Sequence, residues 1–531
     1  MMTPLAPGEA QALVRTIMRC PDPVDLFSAC GGGSLGTLLL ETAEVADASV
    51  GGKSLIVTQS ALSLRCQGSR VQAQARSGNG RGLLPWLATK LALLGPVTQQ
   101  GDIVTCEITL PPDASRNEEE RLKAPMAISA LRSLVFGLQD RLGQPSSTPL
   151  MVGVFSYDLL GTFEDLPPAS ADPLHCPDYE FWLPELSIWL DHQRRSAQIV
   201  GHVFCDEGYG DILHGVQQLV SQLETDAIVN ARQHEVSQQA PAAELHLDLD
   251  DASYGDLVDR VKEHIVAGDV FQIVPSRTFS LPCPDPLRAY RRLRAINPSP
   301  YMFYICGQTN EGQASVLFGA SPETALKVDG LPRQVQLMPI AGTKPRGRAA
   351  DGAIDADLDS RYEAALRLDE KEVAEHMMLV DLARNDVARV SEPGTRHVHR
   401  LLTIARYSHV MHLVSLVRGT LRADLDALHA YVATMNMGTL VGAPKIKAAQ
   451  LLRRYEATRR GPYGGAVGYV MSDGRMDTGI VIRSAVVVDG VAYVRAGAGV
   501  VYDSDPQAET DETRRKAQAV LTAIQQACGE S

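Results

Sequence analysis

"GGAVGYVMSDGRMDTGIVIRSAVVVDGVAYVRAGAG", Gly464–Gly499, is a series of apolar, strand-like runs punctuated by glycine. Short β-branched runs bounded by turn residues read as strands. Upstream the same texture recurs in "VFQIVPSRTFSL", "VLFGASPETALKV", "RQVQLMPIAGTKPRG" and "YSHVMHLVSLVRGTL". Helical stretches lie between them: "YGDLVDRVKEHIVAGD", a helix around "KEVAEHMML", and a last helix from Pro506. Strand runs with intervening helices predict an α+β domain built on antiparallel sheet.

Working outward, the first half mixes strand-like runs ("SLIVTQSALSLRCQG", "GDIVTCEITLP") with one helical stretch, "LKAPMAISALRSLVFGLQDRLG". "LSIWLDHQRRSAQIVGHVF" reads as a hairpin with a polar turn. From Glu224 to Asp251 the chain turns polar and Gln/Ala-rich, the tail of a helix and then a linker. The expected organisation is an N-terminal region 1–223, a linker 224–251 and a second domain 252–531. A length of 531 residues allows two to four domains.

A chain that is 45% hydrophobic and 21% charged has an ordinary globular balance. No apolar run approaches a membrane span, and the N-terminus lacks a secretory apolar core. Nine scattered cysteines with no CxxC pair suggest neither a disulfide framework nor zinc, and fit reduced thiols in a cytoplasmic protein. The net charge of −13, with only short basic groups, argues against nucleic acid.

"KEVAEHMML", Lys371–Leu379, carries the first chemical signal. At helical period one stripe reads Leu368, Glu372, Glu375, Leu379, Leu382, so two carboxylates sit where a core-facing helix places leucines. Asp369 with Glu372 also reads as a capping box, which leaves Glu375 unexplained. The last helix, "DSDPQAETDETRRKA", repeats the spacing in Glu509 and Glu512 behind an Asp505 N-cap. Alone, that pair reads as acidic residues at a helix N-terminus. If the pairs face each other, two carboxylates about 4 Å apart repel by roughly 4 kcal/mol at an effective dielectric near 20. Four would need a cation, and an all-oxygen set suits a hard ion such as Mg²⁺.

"PIAGTKPRG", "DLARNDVARV", "MNMGTLVGAPKIKA", "GGAVGYV", "IVIRSA" and "AGAGVVYDSDPQAE" together resemble the chorismate-utilising enzymes, most closely the component I (large-subunit) family of anthranilate synthases. The likeness runs from about Leu38 to Ala519. It implies two intertwined αβ domains around a β-sandwich of antiparallel sheets with helices outside. It implies Mg²⁺ between Glu375 and Glu512, with Glu372 and Glu509 behind or beside them, clamping the ring carboxylate of chorismate. It assigns the substrate to Gly342, Thr343, Tyr463, Arg483 and the "AGAGV" loop of Gly497, Ala498 and Gly499, with Lys445 as a nearby cation. It makes Glu323 the acid that helps the ring hydroxyl leave, His412 a histidine of pyruvate loss, and Thr439 a pocket hydroxyl.

Two positions discriminate within the family. Ala341 stands where aminodeoxychorismate synthases carry a nucleophilic lysine. Gln272 stands where isochorismate and salicylate synthases carry a lysine that activates water. Both imply amination beside the ring carboxylate, then loss of pyruvate to anthranilate. The alternative is a 2-amino-2-deoxyisochorismate synthase that stops at the intermediate. No glutaminase segment is legible, so ammonia is expected from a separate glutamine amidotransferase subunit, in an assembly of two large and two small chains. "LLLETAEV" resembles the tryptophan feedback element, with Glu41, Thr42 (serine in the usual string), Pro300, Tyr301 and Met302 forming the site. Gly479, often cysteine in relatives, and Val441, often serine, depart from the pattern.

Overall fold

A computed structural model describes residues 4–43, 52–110, 117–141, 143, 147–169, 171–225, 244–349, 352–407, 410–456 and 458–529. Most of the linker predicted at 224–251 lies outside the described residues. The helix before it, Tyr209–Glu224, ends where the polar stretch begins, and helix Asp251–Val266 follows it.

The strands are laid antiparallel, apart from a two-residue parallel pair between Glu9–Ala10 and Gln139–Asp140. The predicted hairpin is Tyr179–Asp191 turning into Ser196–Val203. Gly464–Gly499 folds into four strands, Ala466–Met471, Met476–Ile480, Ser484–Val488 and Val491–Gly497. The two halves of the chain share ladders. Leu38–Glu41 bridges Lys53–Gln67 and Tyr301–Gln308, and Leu150–Phe155 pairs with Ala466–Met471. Between them lies an apolar layer drawn from both halves, including Leu55, Trp182, Phe303, Leu317 and Val467. Helices pack outside it, with Pro286–Ile296 and Pro506–Gly529 over one core and Lys445–Glu456 over another. This is the intertwined αβ sandwich.

Two local expectations change. The stretch from Leu122 to Gly143 is not one helix but two, Glu118–Lys123 and Ser129–Val135. Pro125 is the cause: Ala124 before it is extended at φ −67, ψ 155, as proline demands of its predecessor. Leu368 is not on the acidic helix. It ends the preceding helix, Ala356–Leu368, and is 80% exposed, while Asp369 caps the new one by accepting from the Glu372 N–H at 3.3 Å.

Candidate active site

The acidic helix, Glu370–Ala388, lies against strands Ile340–Pro345 and Val410–Thr420. The C-terminal helix, Pro506–Gly529, is capped by Asp505, whose carboxylate accepts from the Ala508 N–H at 2.9 Å. The two E-x-x-E pairs come within electrostatic reach of one another. Burial first, then Glu372, and also Glu512 on the other helix, raise the Glu375 carboxyl above its ordinary value. Glu372 and Glu509 are raised for the same reason, burial first. Burial acts most strongly, raising Glu512, but Lys516, at 2.6 Å, together with Arg515 and Arg483 outweighs it and holds that carboxyl below its ordinary value.

Among the described residues no three His, Cys, Asp or Glu side chains form a ready-made metal cage. The donor set nevertheless fits a hard divalent ion: carboxylates only, mutually repelling, on two helices, Glu509 buried and the other three half-buried. Mg²⁺ commonly takes only one or two protein carboxylates and keeps waters for the rest.

Glu323 follows strand Ala314–Ser321 and is 7% exposed. Burial pushes its carboxyl up to about 8, against the Thr439 hydroxyl and Lys516, which pull it down. Thr439 donates to Glu323 Oε1 at 3.3 Å. Both line a cavity of about 30 Å³ with Met338, Leu379, Ala383 and Met437. Gly342 forms a bulge at φ +77 in strand Ile340–Pro345, a conformation that favours glycine. A Cβ there would lie 3.2 Å from Glu372 Oε2. The next residue, Thr343, pairs with His412, and its hydroxyl lies 3.0 Å from His412 Nδ1. Burial, with Arg483 as a lesser cause, drives His412 down to about 4, so the imidazole is neutral near pH 7.

Beside Glu375, Gln272 donates from Nε2 to Glu375 Oε1 at 3.2 Å, and its own Oε1 is a buried acceptor with no hydrogen-bond partner among the described residues. A Cβ on Gly499 would sit 2.8 Å from that amide nitrogen, and one on Gly497 2.6 Å from Pro275 O and 3.1 Å from the Tyr463 hydroxyl. The Ala498 N–H, between them, donates to Pro275 O. Arg483, at φ +49, anchors Nη1 on the Lys516 carbonyl at 3.0 Å.

Two of the assigned residues are already engaged within the chain. Lys445 is not a free cation: its ammonium donates to Asp386 at 2.7 Å and to Thr434 O at 2.8 Å, in a pair nearly closed to solvent. A buried ammonium needs such a partner, and Asp386 supplies it beside the Glu323 cavity. Glu41 likewise has both oxygens engaged, Oε1 by the Tyr290 hydroxyl at 2.5 Å and Oε2 by Arg294 at 3.1 Å. It is a buried support beneath the proposed regulatory wall and offers no open carboxylate. Met302 pairs with Glu41, Thr42 donates its N–H to Lys53 O, and Tyr301 hydrogen-bonds Asp477 and packs on Gly479. Pro300 precedes them, half-buried. The sequence reading missed Lys516, which bonds both Glu512 and Gly497 O. Its signal was present, a lysine four residues after a glutamate on one helix.

Residues 110–522 match the model of the chorismate binding enzyme family. The chain is 51% identical over 505 residues to anthranilate synthase component 1 of Vibrio cholerae serotype O1, covering 95% of this chain and 94% of that protein. It is 47% identical over 516 residues to the Escherichia coli K12 component 1, with 95% and 94% covered. The crystal structure of anthranilate synthase component I from Streptococcus pneumoniae superposes with a TM-score of 0.67 at 26% identity, over 88% of this chain and 92% of that one. The menaquinone-specific isochorismate synthase of Escherichia coli, 15% identical at a TM-score of 0.65 over 99% and 96%, shares the fold. By the family match over most of its length and by its identity to these relatives, the chain belongs to the chorismate binding enzymes, in the branch of the anthranilate synthase component 1 proteins.

Proposed function

We propose that this chain is the chorismate-aminating subunit of an anthranilate synthase, a lyase at the first committed step of tryptophan synthesis. The observation that carries the reading is the buried Glu323 carboxyl under the Thr439 hydroxyl, an acid that burial keeps protonated to about pH 8. A ring hydroxyl leaves poorly without a proton, and a carboxylic acid that is still neutral near pH 7 can supply one.

The nitrogen of ammonia bonds to the ring carbon beside the ring carboxylate. The ring double bonds shift and the C–O bond to the ring hydroxyl breaks. Glu323 gives its proton to the departing oxygen, which leaves as water, and the ammonium formed on the ring carbon gives up one proton to solvent to leave the amine. Gln272 is a poor base for water, and its unpartnered Oε1 can accept an N–H of the incoming ammonia. Arg483 and Tyr463, with the backbone at Gly497–Gly499, receive the enolpyruvyl carboxylate, and Gly342 and Thr343 flank the ring. His412, neutral, can accept the ring proton as the ether C–O bond breaks; the ring becomes anthranilate, and the departing pyruvate enolate takes a proton on its methylene to become pyruvate. Mg²⁺ held by Glu375 and Glu512, with Glu372 and Glu509 beside them, would supply positive charge to the ring carboxylate.

Ammonia comes from a glutamine amidotransferase partner in a two-plus-two assembly, and tryptophan inhibits through the wall of Thr42, Pro300, Tyr301 and Met302. The chain works in the cytoplasm: no described helix is long and apolar enough to cross a membrane, and all nine cysteines are free.

The test is fluorescence of the purified chain with chorismate, Mg²⁺ and an ammonium salt at mildly alkaline pH. Growth of anthranilate emission, lost with EDTA and in Glu375→Ala, is the expected result. Chorismate consumed without fluorescence would assign the aminodeoxyisochorismate branch instead, and no consumption would refute both.

A further inference from the structure

Arg460 is 3% exposed, and its side-chain hydrogen bonds go to a glutamate and to backbone carbonyls. Nε and Nη2 grip Glu456 at 2.7 and 2.6 Å. Its remaining donors leave that pair: Nη1 reaches Leu440 O and Nη2 reaches Val274 O, each at 2.7 Å. Leu440 directly follows Thr439, whose hydroxyl rests on Glu323. Val274 lies two residues past Gln272, whose amide rests on Glu375. The guanidinium also lies 4.5 Å from the Tyr157 ring centroid and 5.8 Å from that of Tyr463.

The two segments also meet in a short ladder. Gln272–Ile273 pairs with Gly442–Ala443, and the Val274 N–H donates to Val441 O. So short a ladder is marginal on its own. A planar fork with five donors can close its open end on both sides at once, while its charge stays paired to a carboxylate. An ammonium, a point charge with three donors, fits that task poorly. Glu456 is itself fixed by the Ser276 N–H and hydroxyl and by Arg495.

We propose that Arg460 is a positioning residue that holds the general-acid wall and the ammonia wall of the site in register. The proposal rests on the functional reading above and assigns to that reaction a residue remote from the substrate.

The test compares the wild-type chain with Arg460→Lys, each also in a Thr439→Val background, using ammonia-dependent anthranilate formation across pH. Thr439 and Lys516 are the groups that face Glu323 and hold its carboxyl down. If Leu440 slips, Thr439 loosens, and the alkaline limb of kcat set by Glu323 moves to higher pH. The expected result is a kcat lower by about tenfold or more, a chorismate KM within about twofold, and an upward-shifted limb. In the Thr439→Val background the limb should move no further. A fall in kcat with the limb unmoved, or the same shift in both backgrounds, would leave Arg460 a mere structural support and overturn the proposal. If Arg460→Lys does not fold, Glu456→Gln, which keeps the guanidinium and weakens its anchor, should give the same shift at smaller size. An active wild type with unmoved limbs refutes this proposal alone, whereas a wild type that consumes no chorismate refutes the functional reading and this proposal with it.

Discussion

Glu323→Gln should make the protein more stable at neutral pH while removing most of its activity. Burial raises the carboxyl from 4.5 to about 8. Between those values the unfolded chain has released a proton that the folded chain retains, so folded stability falls as pH rises through the window. The contribution is whole below about 4.5 and fully lost above about 8. At about 1.4 kcal/mol per pH unit, the loss reaches roughly 3 kcal/mol by pH 7. Glutamine has nearly the same shape, accepts the Thr439 hydroxyl and has no proton to lose, so the variant escapes that cost. The assay is the difference in urea midpoint between variant and wild type at about pH 5 and about pH 7.5. The gain should be small at the lower pH and should widen towards the higher one. Turnover should fall by about 10²–10⁴, the usual worth of a general acid. A midpoint difference that does not change with pH, or a variant less stable than wild type at pH 7.5, would refute the idea that burial keeps this acid protonated.

Two further expectations concern close approaches. Gly499→Ala would put a Cβ 2.8 Å from Gln272 Nε2, so the Gln272–Glu375 hydrogen bond should break; the KM for ammonium, measured at saturating chorismate, should rise several-fold, and an unchanged value would remove Gln272 from the ammonia wall. Gly479→Ala would put a Cβ 2.6 Å from Tyr301 Cγ. Overpacking of that kind costs about 1–3 kcal/mol, and it should weaken tryptophan binding by calorimetry while chorismate kinetics hold; unchanged tryptophan heat would place the inhibitor elsewhere.

What the sequence revealed depended on whether a feature repeats within one element. The Gly464–Gly499 strands and the E-x-x-E helices carry their own periodicity, so both were legible before any coordinates. The break at Pro125 was missed although the proline is in plain view, because the helical period on either side masked it. Pairings between distant segments could not be read. Nothing local to Lys445 says that Asp386 will meet it, and nothing in "LLLE" says that Tyr290 and Arg294 will take both oxygens of Glu41. Such partners are chosen by burial: a charge removed from water must find its opposite in whatever packs over it. The roles of Glu323 and His412 came from motif resemblance, and the structure supplies their physical setting: a carboxyl raised by burial and an imidazole lowered by it.

The same logic makes Lys516 the residue on which the metal reading turns. Its ammonium pairs with Glu512 at 2.6 Å and donates to Gly497 O at 3.1 Å, while its backbone carbonyl receives Arg483. It is thus the local counter-ion of the acidic helices and a floor of the anion loop. Those two duties conflict once a divalent ion arrives, because Glu512 cannot give its best geometry to both cations. Lys516→Met should therefore raise Mg²⁺ affinity, as Glu512 loses a competitor, and lower chorismate affinity, as the dianion loses a nearby positive charge. Isothermal calorimetry with each ligand separately reads both effects. Both titrations are run at pH 6 and at pH 8. Weaker Mg²⁺ binding by the variant at both pH values would mean that Lys516 and the ion do not share Glu512, and the assignment of that glutamate to the metal would fall.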